Sequence, residues 1–220
     1  MSKNIDRMIA DIEQEVAYTR HLIGRTKLAP KVMKVMASVP RDQFVPTALK
    51  PFAFNNGALS VGYGQTISQP YIVALMTDLL QLEAHHRVLE IGTGTGYQTA
   101  ILAELAAQVY SMELIPELSE AADQRLQKMG YTNIITCVGN GYQGWQEHAP
   151  YDAIMVTAAA AFIPPALIEQ LKAGGKMAIP VGEPHRHQEL MLLEKDQQGA
   201  QQLQKILDVA FVPLKQAEDI

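Results

Sequence analysis

Three glycines at alternate positions, Gly92, Gly94 and Gly96, follow the run Val88-Leu89-Glu90-Ile91 and precede an aliphatic pattern at Ile101, Leu102 and Leu105. That is a buried strand, a tight turn and a helix, with the turn stripped of Cβ atoms so that a nucleotide-like ligand can approach the backbone. A nicotinamide fingerprint needs its third glycine where this chain carries Tyr97, which weakens a dinucleotide reading. Glu90 just before the turn fits a ligand with less negative charge than a pyrophosphate. Glu113 ends the next strand, where α/β nucleotide enzymes hold ribose hydroxyls with a carboxylate; alone, it is equally a solvent-facing acid. Gly139-Asn140-Gly141-Tyr142 follows the third strand. There the Asn140 carbonyl suits an adenine amino group and Gly141 lets the backbone approach the ring, although a plain turn uses the same residues. A further polar stretch, Gly64-Gln65-Thr66-Ile67-Ser68-Gln69-Pro70, gathers hydroxyls and amides ahead of a helix. Ser68 serves there either as a helix cap or as a group that orients a substrate. The G-x-S-x-G turn of a serine hydrolase is absent.

Positioning these residues requires a sheet. Ile5, Ile9, Ile12 and Val16 predict an amphipathic helix over the first twenty residues, and Val32, Val35 and Met36 a short one after Pro30. Residues 40–64 are broken by proline, asparagine and glycine and read as irregular. Helical periodicity resumes over 68–80. Strands are predicted near 87–91, 109–113, 134–138, 153–156, 176–181, 189–193 and 206–212, with helices at 97–107, 116–129 and 164–170. Short apolar strands joined by helices imply a mostly parallel seven-stranded sheet covered on both faces. Asp196-Gln197-Gln198-Gly199 is a turn, so the last two strands form a hairpin and one strand runs antiparallel. Residues 1–64 form a helical, irregular cap and residues 65–220 the main α/β domain, the two making one compact unit.

Composition narrows the class. A formal net charge of −5 and no basic block argue against a nucleic-acid binder. The one cysteine, Cys137, excludes an internal disulfide and reads as a small buried hydrophobe in an apolar run. Charged residues in the first helix exclude a signal peptide, and no apolar run approaches ~20 residues, so a cytoplasmic protein without a membrane span is expected. His85-His86 reads as a solvated linker. His185 and His187 lie in a polar loop without a carboxylate or cysteine cluster, so no metal is expected. Trp145 reads as packing.

Glu90-x-Gly92-x-Gly94-x-Gly96 resembles the first motif of class I S-adenosylmethionine methyltransferases, which are Rossmann-like. V-P-R-D-Q-F-V-P (39–46), G-Q-T-I-S-Q-P-Y (64–71), Y-D-A-I-M-V-T-A-A-A (151–160), L-K-A-G-G-K-M-A-I-P-V-G (171–182) and F-V-P-L (211–214) also occur. Together they resemble the protein-L-isoaspartate O-methyltransferase family from about Val39 to Leu214. The T-I-S-Q-P block is the specific one, whereas the glycine turn is generic to methyltransferases.

The resemblance implies methyl transfer from S-adenosyl-L-methionine to the α-carboxylate of L-isoaspartyl residues in damaged proteins and peptides, leaving S-adenosyl-L-homocysteine. It implies that Ser68 is the active-site residue. Thr66, Ile67, Gln69 and Val212 would contact the substrate. Glu90, Gly92, Thr93, Gly94, Gly96, Glu113, Leu114, Asn140 and Gly141 would hold the cofactor. A monomer acting on isoaspartyl proteins, without nucleic acid or membrane, is expected. The chain departs from the family pattern at Asn55, Asn140 and Ala210, each of which lacks a charge the family often carries there. Rival readings are a methyltransferase of this fold acting on another carboxylate or a small molecule, an RNA methyltransferase disfavoured by acidity, and a non-catalytic cofactor- or peptide-binding homologue.

Overall fold

The computed structural model describes residues 3–183 and 186–216. The chain begins with α1 (Lys3–Ile23), whose buried face is Met8, Ile12, Val16 and Ile23. The apolar stripe is therefore centred on Met8 and Ile12, with Ile5 and Ile9 at its margin. Helix α2 (Pro30–Ser38) starts on its proline, as fixed φ and a missing N–H permit at a first position, and buries Val32, Val35 and Met36.

Residues 40–64 are more regular than their composition suggests. Two 3-10 turns, Arg41–Phe44 and Thr47–Phe52, lead into the strands β1 (Leu59–Gly62) and β2 (Gln65–Ile67). These two pair as a separate antiparallel ribbon. The sequence missed this hairpin because Gly62-Tyr63-Gly64 looks like plain loop, yet its three positive φ values (96°, 54° and 68°) are what a tight reversal requires. Helix α3 (Pro70–Leu79) follows directly.

The α/β part runs β3 (Arg87–Ile91), α4 (Tyr97–Ala103), β4 (Gln108–Glu113), α5 (Pro116–Lys128), β5 (Ile134–Val138), β6 (Tyr151–Val156) and α6 (Pro165–Gln170). It ends with β7 (Leu171–Val181), β8 (Gln188–Lys195) and β9 (Gln201–Val209). The seven main strands lie in the order β5-β4-β3-β6-β7-β8-β9. All neighbouring pairs from β5 to β7 are parallel, while β8 is antiparallel to both β7 and β9. One reversed strand in a mostly parallel sheet is the expected arrangement.

Alternate residues along the strands point to two cores. Val88, Val109, Ala153, Met155 and Ala178 join α1–α4 on one face. Leu89, Ile91, Tyr110, Ile154, Val156 and Met177 join Leu167 of α6 on the other. The N-terminal helices share the first core with the sheet, so they are fastened to it by apolar contact. No helix among the described residues is long and apolar enough to cross a membrane.

The last strand departs from its expected bounds. Its backbone pairs with β8 from Gln201, five residues before the predicted start, and it stops at Val209. The run Gln201-Gln202 is polar because this end of the edge strand is exposed, which hid it from a hydrophobicity pattern. Beyond it, residues 210–215 cross to the sheet's carboxyl end. Gln188 holds them there by accepting from Phe211 N–H at 2.6 Å and donating to Phe211 O at 3.2 Å.

Candidate active site

Strand β3 is flanked by β4 on one side and β6 on the other, so the direction of connection reverses beside it. Ligands of open α/β sheets bind in the crevice outside the strands' carboxyl ends at such a point. The glycine turn lies there. Gly92 has φ +97°, and a Cβ on it would sit 2.4 Å from Thr157 Oγ1. That threonine, just past β6, has its hydroxyl 2.7 Å from Gly92 O and 3.0 Å from Ile91 O. Gly94 also has positive φ, and nothing lies within 4 Å of where its Cβ would be. The turn is thus pinned from below at Gly92 and open at Gly94, where it borders the cleft. Gly96 is the N-cap of α4.

The two acids have different tasks. Glu113 borders the cleft, and its carboxylate accepts from the N–H groups of Gly94 (2.8 Å), Leu114 (2.9 Å) and Ile115 (3.1 Å). It therefore fastens the glycine turn to the loop after β4. Glu90 is completely buried beneath the turn and does not border the cleft. Its Oε2 accepts from Thr99 Oγ1 at 2.6 Å and Ser111 Oγ at 2.5 Å, while Oε1 has no partner. Burial pushes its carboxyl up to about 8, so Glu90 is mainly protonated at neutral pH. Ser111 in turn meets Thr93 Oγ1 at 2.6 Å, which links Glu90 to the turn through hydroxyls.

Ile91, Met112, Leu114, Ile115 and Leu214 give the cleft apolar surface, and Gly139 and Gly141 form its far side. A Cβ on Gly141 would meet Ile91 Cγ2 at 2.3 Å, so only glycine lets this loop close against β3. Asn140 Oδ1 accepts from Tyr142 N–H at 3.0 Å, the turn-forming contact that its composition allowed. Its side chain does not border the cleft. Val212, Pro213, Leu214 and Lys215 complete the wall, held by Ala159 N–H to Val212 O (2.8 Å) and Leu214 N–H to Ala159 O (2.7 Å).

The hydroxyl-rich segment lies across the cleft mouth. Ser68 is not the cap of α3: Gln69 holds that position and Pro70 the first turn, with no side-chain cap. Ser68 and Thr66 instead border two spaces at once. One is the pocket beside Gly92, Thr93, Gly94 and Thr95. The other is an outer groove lined by Glu15, Gln69, Ile72, Val209, Ala210 and Phe211 among others. Ile67 is buried and borders the inner pocket. Gln69 Nε2 reaches Asn56 O at 3.4 Å. Of the expected residues, Gly96 packs against Leu126 and Ala122 of α5 and does not border these spaces, and the side chains of Glu90 and Asn140 support the walls from behind.

Thr157, Met112 and Ile115 border the cleft without having been singled out. Thr157 carries a usable signal, a hydroxyl directly after the strand that pairs with β3. Arg41 was missed as well, because a charged residue in a turn reads as solvent-exposed.

The described chain from Ala17 onward falls within the match of a family model, which covers residues 17–219: protein-L-isoaspartate(D-aspartate) O-methyltransferase. The chain belongs to this family. A Protein-L-isoaspartate O-methyltransferase 2 of Syntrophobacter fumaroxidans is 56% identical over 94% of this chain and 84% of its own. One from a Polaromonas species is also 56% identical, over 94% of this chain and 98% of its own. Among solved structures, a protein-L-isoaspartate O-methyltransferase superposes with a TM-score of 0.82 at 24% identity, over 97% of this chain and 66% of that one. A putative Plasmodium falciparum member in complex with S-adenosyl-L-homocysteine gives 0.76 at 24% identity, over 93% and 97%.

As a protein-L-isoaspartate O-methyltransferase family member, the chain uses S-adenosyl-L-methionine, and the cleft fits it. Gly94 is open to a ligand, an acid stands at the end of β4, and apolar side chains suit a flat purine. The departures from the family pattern differ in location. Ala210 borders the outer groove, whereas Asn55 is an exposed turn residue outside it.

Remaining polar features are structural. Trp145 packs edge-on to Tyr110 and His148. His187 lies with Glu189 and Asp208, carboxylates the linear sequence did not associate with it. The Lys205 ammonium contacts Glu189 at 2.7 Å and Asp208 at 2.9 Å, which makes the group a surface ion-pair set. His185 lies outside the described residues. Burial pushes the half-buried Cys137 thiol up to about 11, consistent with an inert packing residue.

Proposed function

We propose that this chain methylates the α-carboxylate of L-isoaspartyl residues in damaged proteins and peptides, with Ser68 orienting the acceptor. One observation carries the reading: Ser68 and Thr66 border both the pocket at the glycine turn and the outer groove. A peptide in that groove would present a side group to the cofactor cleft across these two hydroxyls. When bound, the cofactor supplies a methyl group on a positively charged sulfonium.

The chain needs no strong base, since a carboxylate with a pKa around 4 is already ionised at pH 7. Its task is alignment of the attacking oxygen, to about 3 Å. A neutral hydroxyl donates to a carboxylate without removing its nucleophilic charge, which suits Ser68. Thr66 and Val212 flank the approach, and Gly94 with Glu113 fixes the turn that the cofactor meets. The peptide methyl ester then cyclises to a succinimide, whose hydrolysis returns part of the product as normal aspartate.

A monomeric, cytoplasmic working state belongs to the same proposal. The deciding assay incubates the protein with labelled cofactor and matched isoaspartyl and aspartyl peptides. Base-labile label on the isoaspartyl peptide alone is the expected result. Equal labelling of both, or of neither, overturns the reading.

A further inference from the structure

Arg41 is the largest completely buried side chain among the described residues, yet its hydrogen bonds there go to backbone carbonyls and not to a carboxylate. Its Nε donates to Ala53 O at 2.8 Å and its Nη2 to Ser68 O at 2.6 Å. Its guanidinium carbon lies 4.7 Å from the centre of the Tyr97 ring. The Tyr97 hydroxyl lies close enough to the guanidinium to interact with it, but neither it nor Nη1 makes a well-formed hydrogen bond. A buried charge costs several kcal/mol and is ordinarily paired with an opposite one. Here two carbonyl dipoles and a ring face stand in for the missing anion.

The location gives the charge a purpose. Tyr97 directly follows the glycine turn as the first residue of α4, and its ring packs edge-on to Phe44 at 5.4 Å. Arg41 therefore joins three pieces: the 3-10 turns of the cap, the acceptor segment at Ser68, and the helix that carries the cofactor turn. Ser68, whose carbonyl Arg41 holds, borders the inner pocket, and so does Tyr97, over whose ring the guanidinium lies. The N-terminal end of α3, two residues on, adds partial positive charge on the same side.

Resting on the function proposed above, we infer that Arg41 is a positioning residue that fixes Ser68 and acts as the buried counter-charge for the acceptor carboxylate. It reaches the anion through the Ser68 peptide and not by contact. The acceptor's arrival completes a charge pair that the folded protein leaves open. Low surrounding polarity lets the attraction act across that distance.

The test compares wild type, Arg41→Met and Arg41→Lys, each saturated with S-adenosyl-L-homocysteine. Two otherwise identical peptides are titrated, one with isoaspartate and one with its uncharged isoasparagine counterpart. In Arg41→Met the isoaspartyl peptide should bind about 10- to 30-fold more weakly, and the neutral peptide should change less than about threefold. Cofactor-product affinity should stay within about twofold in the same variant. Arg41→Lys keeps the charge but not the paired donors, so it should retain anion preference while kcat falls about tenfold. Equal weakening of both peptides in Arg41→Met, or no weakening, overturns the inference and leaves a purely structural arginine. Should Arg41→Met not fold, loss of anion preference in Arg41→Lys overturns it. Wild type that methylates no isoaspartyl peptide overturns the function reading, and this inference with it.

Discussion

Ser68 illustrates how a side chain acquires its task from its neighbours. Its hydroxyl is freed from helix capping because Gln69 takes the cap position, and its carbonyl is fixed by Arg41. Ser68→Ala should therefore lower methyl transfer to an isoaspartyl peptide at least about tenfold with folding unchanged, since orientation terms of this kind span one to several decades. Calorimetry should show cofactor affinity near normal, and unchanged activity would remove Ser68 from the reaction. Glu90 has a different signature. Its carboxyl is raised to about 8 by burial, so its folded state prefers the proton. That preference supports stability fully below the unfolded carboxyl range near 4 and is lost progressively as pH rises through about 8. Glu90→Gln should thus gain thermal stability relative to wild type between pH 5 and pH 8, read as a melting-temperature difference that widens with pH. A pH-independent difference would show that Glu90 is ionised in the fold. Residue types and spacing singled out both acids, and the family resemblance singled out Ser68, but neither told which acid faces the cleft. Glu90 and Glu113 look alike as strand-end carboxylates, and only the direction of each side chain from the sheet separates them.

At the scale of elements, the turn after β3 depends on two kinds of glycine. Gly92 combines positive φ with a Cβ position 2.4 Å from Thr157 Oγ1, whereas Gly94 has positive φ and free space. Gly92→Ala should destabilise the protein by about 2–4 kcal/mol, from strain and overpacking together. Gly94→Ala should cost about 1–2 kcal/mol, from backbone conformation alone. Denaturant unfolding of the two variants checks the order, and equal losses would contradict it. Spacing located the turn but ranked its glycines equally, because the neighbour of Gly92 is Thr157, 65 residues on and just past β6. The buried strands and proline-started helices were legible, since apolar runs and fixed φ act locally. The β1–β2 ribbon was not, because strands of four and three residues give periodicity little to act on.

The whole molecule joins cap and sheet through one apolar core. Met8, Ile12 and Val16 of α1 lie in the cluster that also holds Val88, Ala153 and Leu190. We therefore take residues 1–64 as a cap that does not fold apart from the sheet. Deleting residues 1–16 should destabilise the protein by several kcal/mol, at about 1.5–3 kcal/mol for each buried side chain lost. Dye binding and thermal unfolding would register the exposed surface, while an unaltered melting temperature would make the helix dispensable. Fold class was legible at this scale because alternating strand and helix patterns admit few arrangements. The crossing of residues 210–215 was not, since no local preference tells a chain to leave its own strand's edge. A chain halted after Val209 already contains every strand of the main sheet but lacks Val212–Lys215 along the cleft. The sheet and the closed cleft are therefore separable: the strands can be complete while the wall that shelters the methyl donor is still open.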